Sequence, residues 1–151
     1  MKRFIFIFSF LCLAMLPLAA CGDQGKAQSE AKAAISAADL LHHNFELATV
    51  DGEAYVAGVE PVPYIAFNEG MNVSGAICNQ FTGQGELTEG TLMVKQMAST
   101  KKLCVDEGLN KLETDFSMML MSGSAVALEG GKLSLSKDDC KLEFVLKDKV
   151  Q

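Results

Sequence analysis

Val126-Ala127-Leu128-Glu129-Gly130-Gly131-Lys132-Leu133-Ser134-Leu135, VALEGGKLSL, is the stretch whose reading decides the fold. Val126 and Leu128 before the glycine pair, and Leu133 and Leu135 after it, recur with a period of two, which lays one face of each flank into a core. The glycines between them take positive φ without strain, as a tight turn requires. The stretch reads as a β-hairpin.

Working outward, the same device recurs. Phe45 and Leu47 alternate with polar residues up to Asp51-Gly52, with Tyr55-Val56 as the returning partner. Ile65 and Phe67 precede Glu69-Gly70, with Met71 and Val73 beyond it; Leu87 precedes Glu89-Gly90, with Leu92 and Val94 beyond. Leu142, Phe144 and Leu146 form one face of a last strand after Asp138-Asp139. About eight short strands result. One segment departs from this period: between Asp106 and Ser122 the apolar residues Leu109, Leu112, Phe116, Met119 and Leu120 fall three and four apart, the spacing of an amphipathic helix. Asp106 suits its N-cap and Gly123 its stop. The expected fold is mainly β (α+β), a small antiparallel barrel or coiled sheet with a helix over about 106–122 packed across one open end, because closure hides strand edges. Met118, Met119 and Met121 near the helix end fit core filling, with an adaptable contact surface as the alternative.

The N-terminus sets the compartment. Lys2 and Arg3 precede an apolar run from Phe4 to Leu16, roughly 20 Å as a helix and too short for a bilayer core of about 30 Å. Residues 1–20 therefore read as a signal peptide. Leu18-Ala19-Ala20-Cys21 resembles the lipobox of bacterial lipoproteins, which implies acylation of Cys21 and cleavage before it. Membrane attachment is then expected through acyl chains on Cys21, and Gly22 after it implies the outer membrane by the enterobacterial sorting rule, with the domain facing the periplasm. Residues 21–39, alanine-rich and without an aromatic residue, read as a flexible tether, and residues 40–151 as one domain that is expected to be monomeric.

Loss of Lys2 and Arg3 takes the net charge from -6 to -8, and Arg3 is the sole arginine. A mature chain with neither arginine nor tryptophan is poorly suited to nucleic acid, which is read by guanidinium forks and stacked rings.

Val73 to Gly83, VSGAICNQFTG, sets Cys78 and Asn79 in the middle of a strand pattern. A nucleophilic cysteine needs a base within reach. The two histidines, His42 and His43, are neighbours on an extended segment and point to opposite faces, one ring packed and one wet, with no carboxylate partner named. Cys78, Cys104 and Cys140 lack the close paired spacing of zinc ligands, so no catalytic residue, metal or cofactor is expected. Cys78-Asn79 suits a bulge, and Gly83 and Gly85 can bend the strand. Asn79 and Thr100 could instead line a small polar site.

Four stretches, Leu41-His42-His43-Asn44-Phe45-Glu46-Leu47, Ser74 to Gly83, Ser99-Thr100-Lys101-Lys102-Leu103-Cys104 and Leu133-Ser134-Leu135, together resemble the META domain family of bacterial envelope lipoproteins, the HslJ type. The likeness runs from about Leu40 to Leu146, and its Gly-x-x-Cys-Asn with a later Thr-Lys-x-x-Cys is the most specific part. Lys102 stands where the family usually has an apolar residue and Gly85 where an aromatic one is common. The resemblance implies a lipid-anchored heat-shock protein without established catalysis, linked to tolerance of antibiotics such as novobiocin, that acts by binding or scaffolding an envelope protein. A periplasmic barrel that binds a small apolar ligand is the alternative. It also implies Asn79, Thr100 and Lys101 as motif positions and Cys104 as the partner of Cys78 in a disulfide, which export would permit. A bond from Cys140 to either of them is the rival; otherwise Cys140, in phase with Leu142 and Phe144, is a buried thiol.

Overall fold

The computed structural model describes residues 35–149 apart from positions 57, 59, 60 and 105. The signal peptide, Cys21 and the tether up to residue 34 lie outside the described residues. From Ile35 on, the chain is already part of the domain: Ser36 caps α1, Ala37–Leu40, and Leu40 is fully buried with Ile35 and Ala37 packed beside it. The boundary drawn at residue 39 falls inside this turn.

Nine strands follow: β1 (His43–Val50), β2 (Glu53–Ala54), β3 (Tyr64–Phe67), β4 (Asn72–Ala76), β5 (Gln80–Thr88), β6 (Thr91–Ser99), β7 (Ser124–Glu129), β8 (Lys132–Lys137) and β9 (Cys140–Lys149). Helix α2, Glu107–Ser122, joins β6 to β7. From β3 to β9 each strand pairs antiparallel with the next, and β1 pairs β3 on one side and β9 on the other, so eight strands close into a barrel with β2 as an added strand on the end of β1. The turns anticipated from sequence carry the conformation they need: φ is 51° and 85° at Asp51-Gly52, 49° and 74° at Glu89-Gly90, and 56° and 80° at Gly130-Gly131.

Several local readings are corrected. VSGAICNQFTG is not one strand; residues 77–79 turn the chain between β4 and β5. Asn79 is not at positive φ, and the bulge lies on β6, where Gln96 (φ 51°) and Met97 together face Gly83. After Asp51-Gly52 the strand that pairs with β1 is Glu53–Ala54; Tyr55 extends it by one hydrogen bond, its N–H to the Ala48 carbonyl at 2.8 Å, and Val56 is exposed. His42 sits in a turn at φ 64° and is exposed, while His43 opens β1 half-buried. Leu146, opposite the buried Phe45, is 42% exposed: the last rung between β8 and β9 joins Lys132 to Val145, and Leu146 lies beyond it.

The lumen is filled. Phe45, Phe67, Phe116, Phe144, Leu92, Leu120, Leu133, Leu135 and Leu142 are each below 2% exposed. Phe116 of α2 meets Phe81 edge-on at 5.4 Å and Phe144 at 5.9 Å, so the helix closes its end of the barrel with an aromatic cluster. Asp106 caps α2 as expected, accepting the Leu109 N–H at 2.9 Å, and Gly123 (φ 89°) ends it. Close approach explains the inward glycines. A Cβ on Gly75 would stand 2.3 Å from the Tyr64 carbonyl oxygen, and one on Gly85 2.6 Å from Val73 Cγ2, so the space an aromatic side chain would need at residue 85 is taken. Strands β6 and β7 share only two residue pairs, Thr91 with Ala125 and Leu92 with Ser124, and α2 rests on β6 and β8.

The barrel's two ends are different. At one, His42 donates its N–H to Phe67 and α1 stands beside it; at the other, the turn after Ala76 lies under α2.

Candidate functional site

The residues singled out from sequence converge at the end crossed by α2. Cys78 and Cys104 are joined by a disulfide with Cα atoms 6.1 Å apart. Asn79, 7% exposed, threads a knot beside it: its Oδ1 accepts the Thr100 hydroxyl and the Lys102 N–H, both at 2.9 Å, and its Nδ2 donates to the Lys102 carbonyl at 3.1 Å. Thr100 Oγ1 in turn accepts the Gln80 N–H, and the Thr100 N–H donates to the Gln80 carbonyl. All of these groups face one another, so Asn79 and Thr100 lash the β4–β5 turn to the strand of chain leaving β6. Lys101 stands apart, exposed and without an ion-pair partner among the described residues.

Two helix residues that sequence reasoning passed over complete the knot. Glu113 accepts the N–H groups of Cys78 and Asn79, and Asn110 grips Cys104 from both sides, accepting its N–H at 3.3 Å and donating to its carbonyl at 2.9 Å. Their only sequence signal is position: each lies one place from an apolar helix residue, on the flank of the stripe.

The histidines take no part. Register sets His43 beside Phe67 and Phe67 beside Val73, five residues along the chain from Cys78, roughly 16 Å at the rise of a strand. The Cys78 sulfur is bonded, and among the described residues no three His, Cys, Asp or Glu side chains form a metal-binding group.

Cys140 is the one free cysteine among the described residues and is half-buried rather than fully buried, because it occupies the β8–β9 turn end of its strand. It lines a pocket of about 480 Å³ with Asp51, Lys111, Asp115, Met118 and Met119. Desolvation pushes its thiol pKa up, and the carboxylates of Asp51 and Asp115 add to the effect, so it is held as the weakly nucleophilic thiol. Of the three methionines, Met119 is core, while Met118 and Met121 are each 51% exposed.

Two adjoining clefts flank the disulfide. The larger, about 530 Å³, is lined by Pro61, Ile77, Lys102, Leu103, Cys104 and Leu109 among others. The smaller, about 260 Å³, shares Gly58, Asp106 and Leu109 with it and includes Tyr55 and Val56. Burial, then the Asp106 carboxylate, raises the Tyr55 phenol pKa. Leu103, 89% exposed, and Val56, 84% exposed, are the most exposed large apolar side chains among the described residues, and both stand here.

Comparison with known proteins gives the same frame. A family model described as the META domain matches residues 38–149. Heat shock protein HslJ of Escherichia coli (strain K12) is 34% identical over 142 residues, spanning 94% of this chain and 96% of its own length. An NMR structure at 36% identity superposes with a TM-score of 0.69 and covers 76% of this chain and 97% of its own. A second, of a protein from Burkholderia xenovorans, shares the fold at 18% identity with a TM-score of 0.58, covering 74% and 86%.

Proposed function

The chain belongs to the META domain family, and from that premise we propose that it is a non-enzymatic, lipid-anchored protein of the bacterial envelope that acts by binding or scaffolding an envelope component under heat or related stress. Acylated Cys21 would hold it to the outer membrane with the barrel in the periplasm. Tolerance of antibiotics of the novobiocin kind would be one outcome of that action. The observation that carries this reading is the division of labour at the α2 end. The polar groups of Asn79 and Thr100 are spent on one another and on neighbouring backbone, and two large apolar side chains at the adjoining clefts, Leu103 and Val56, are left facing out. Exposed apolar surface gathered in one place supports an interaction site. A small apolar ligand, the competing reading, would have to take the clefts, because the lumen is filled.

A photo-crosslinking residue at Leu103, with a control at Glu86 on β5, tests this in heat-stressed intact cells. An adduct formed from position 103 and not from 86 is expected, and background labelling at both would overturn the reading. Mass spectrometry of the N-terminal peptide tests the anchor: diacylglyceryl-Cys21 at the mature terminus is expected, and an unprocessed Met1 terminus would refute it.

A further inference from the structure

We propose that the larger cleft beside the disulfide binds a single-chain anionic amphiphile, with the apolar body along Ile77, Pro61 and Leu109 and the acid at Lys102. The inference rests on the reading of the α2 end as the working face and names the chemical class it takes.

The walls come from three separate segments of the chain. Ile77 follows the end of β4, Leu109 belongs to the first turn of α2, and Pro61 stands in the connection before β3. The volume, about 530 Å³, falls inside the range of small-molecule sites, roughly 300 to 1,000 Å³. Charge selects the head group. Lys102 lines the cleft, and its ammonium has no ion-pair partner among the described residues. Asp106 also lines the cleft, but its Oδ1 accepts the Leu109 N–H and its charge faces the positive end of the α2 dipole, which offsets part of it. Among the described residues that line the cleft, the charge with neither an ion-pair nor a capping partner is that of Lys102.

Leu103 supplies the rest. The clamp on Lys102 from Asn79, and on Cys104 from the disulfide and Asn110, holds the backbone on both sides of it, and its side chain is 89% exposed. An acyl chain lying in the cleft would cover it. Pre-set walls with a flexible lysine head at the rim match an anion on an apolar tail, and they suit neither a cation nor a polar sugar, for which the cleft offers few polar side chains.

The test is amide NMR of the purified full-length protein titrated with dodecanoate below its micellar concentration, with dodecanol and dodecyltrimethylammonium as neutral and cationic arms. Dodecanoate is expected to give saturable shifts at Gly58, Gln80, Lys102 and Leu103, binding about tenfold more tightly than dodecyltrimethylammonium. Lys102→Gln should weaken dodecanoate about fivefold and leave dodecanol unchanged, with an unaltered thermal melt confirming its fold. Equal affinity for the anion and the cation, shifts spread over the surface, or indifference to Lys102→Gln would each overturn the proposal. Loss of dodecanoate binding with a surviving cross-link from Leu103 would reject the ligand class and spare the working face; loss of both would reject the two together.

Discussion

Glu113 Oε2 accepts the backbone N–H groups of two successive residues, Cys78 at 2.9 Å and Asn79 at 3.0 Å. One helix carboxylate thereby satisfies a turn 34 residues away in sequence and pins α2 over the barrel end.

Glu113→Ala leaves both amides without that acceptor in a half-buried site. A charge-assisted hydrogen bond contributes about 1.5–3 kcal/mol, so a loss of about 2–4 kcal/mol is expected in urea unfolding. Glu113→Gln, which keeps an acceptor oxygen, should lose less than half as much. Equal losses for the two variants would show that packing rather than the paired hydrogen bond is at stake.

Opening the Cys78–Cys104 disulfide frees a loop of about 27 residues and should cost about 3–4 kcal/mol in the chain-entropy model. Cys78→Ser with Cys104→Ser is the variant to measure, and the melting temperature should fall by the same amount when the parent protein is treated with dithiothreitol. In the unreduced parent, alkylation in denaturant should mark Cys140 and spare Cys78 and Cys104.

Asn79→Ala removes one donor and one doubly used acceptor from a buried site and should cost about 2–4 kcal/mol. Thr100→Val, which deletes the hydroxyl between Asn79 and Gln80, is expected at about 1–2 kcal/mol, with Thr100→Ser close to neutral. Lys101→Ala, on the exposed side, should stay within about 0.5 kcal/mol. A costly Lys101→Ala beside a neutral Thr100→Val would reverse the assignment.

Gly75→Ala drives a methyl against the Tyr64 carbonyl and the Phe81 ring, and the carbonyl cannot move without disturbing the β3–β4 ladder. Gly130→Ala meets nothing within 4 Å and pays only for its positive φ. Circular dichroism melts should rank Gly75→Ala far below Gly130→Ala.

Stability should fall in acid. The Lys141 ammonium, then the Thr49 hydroxyl, hold the Glu143 carboxyl below its ordinary value, and the Ser36 hydroxyl and amide do the same for Asp39. Both favour the charged form in the fold, so their contribution is complete above the unfolded carboxylate values and drains away as pH drops through the lower folded ones. Thermal melts should be level near neutrality and decline below about pH 4.5, the unfolded glutamate value. Glu143→Gln should soften that decline. Cys140 has the opposite sign: its raised thiol pKa costs stability once pH climbs past the ordinary thiol value, and Cys140→Ser should remove that alkaline loss.

The hairpins were readable because turn chemistry is local: Asp51-Gly52, Glu89-Gly90 and Gly130-Gly131 state both where the chain reverses and which faces point inward. So was α2, whose five apolar residues match its five buried ones. Local rules failed where a distant partner decides. Cys78-Asn79 resembles strand interior until Glu113 and Thr100 are seen to hold it as a turn, and Leu146 is exposed because β8 ends one rung earlier, which no window of sequence around it contains. The candidate site was half legible. Motif residues were marked by family resemblance, but Glu113 and Asn110 look like any polar helix flank, and the cleft arises from three segments that meet only in the folded chain.

The rung between His43 and Lys149 is laid by residues from opposite extremities of the domain. A polypeptide emerging from its amino end can assemble hairpins as it appears, yet the ring stays an open ribbon until the carboxy-terminal strand arrives. Joining segments so remote is entropically slow. Nascent chains therefore travel with both ribbon margins bare, and truncation before Cys140, which removes β9, should leave a sticky, unclosed sheet rather than a smaller barrel.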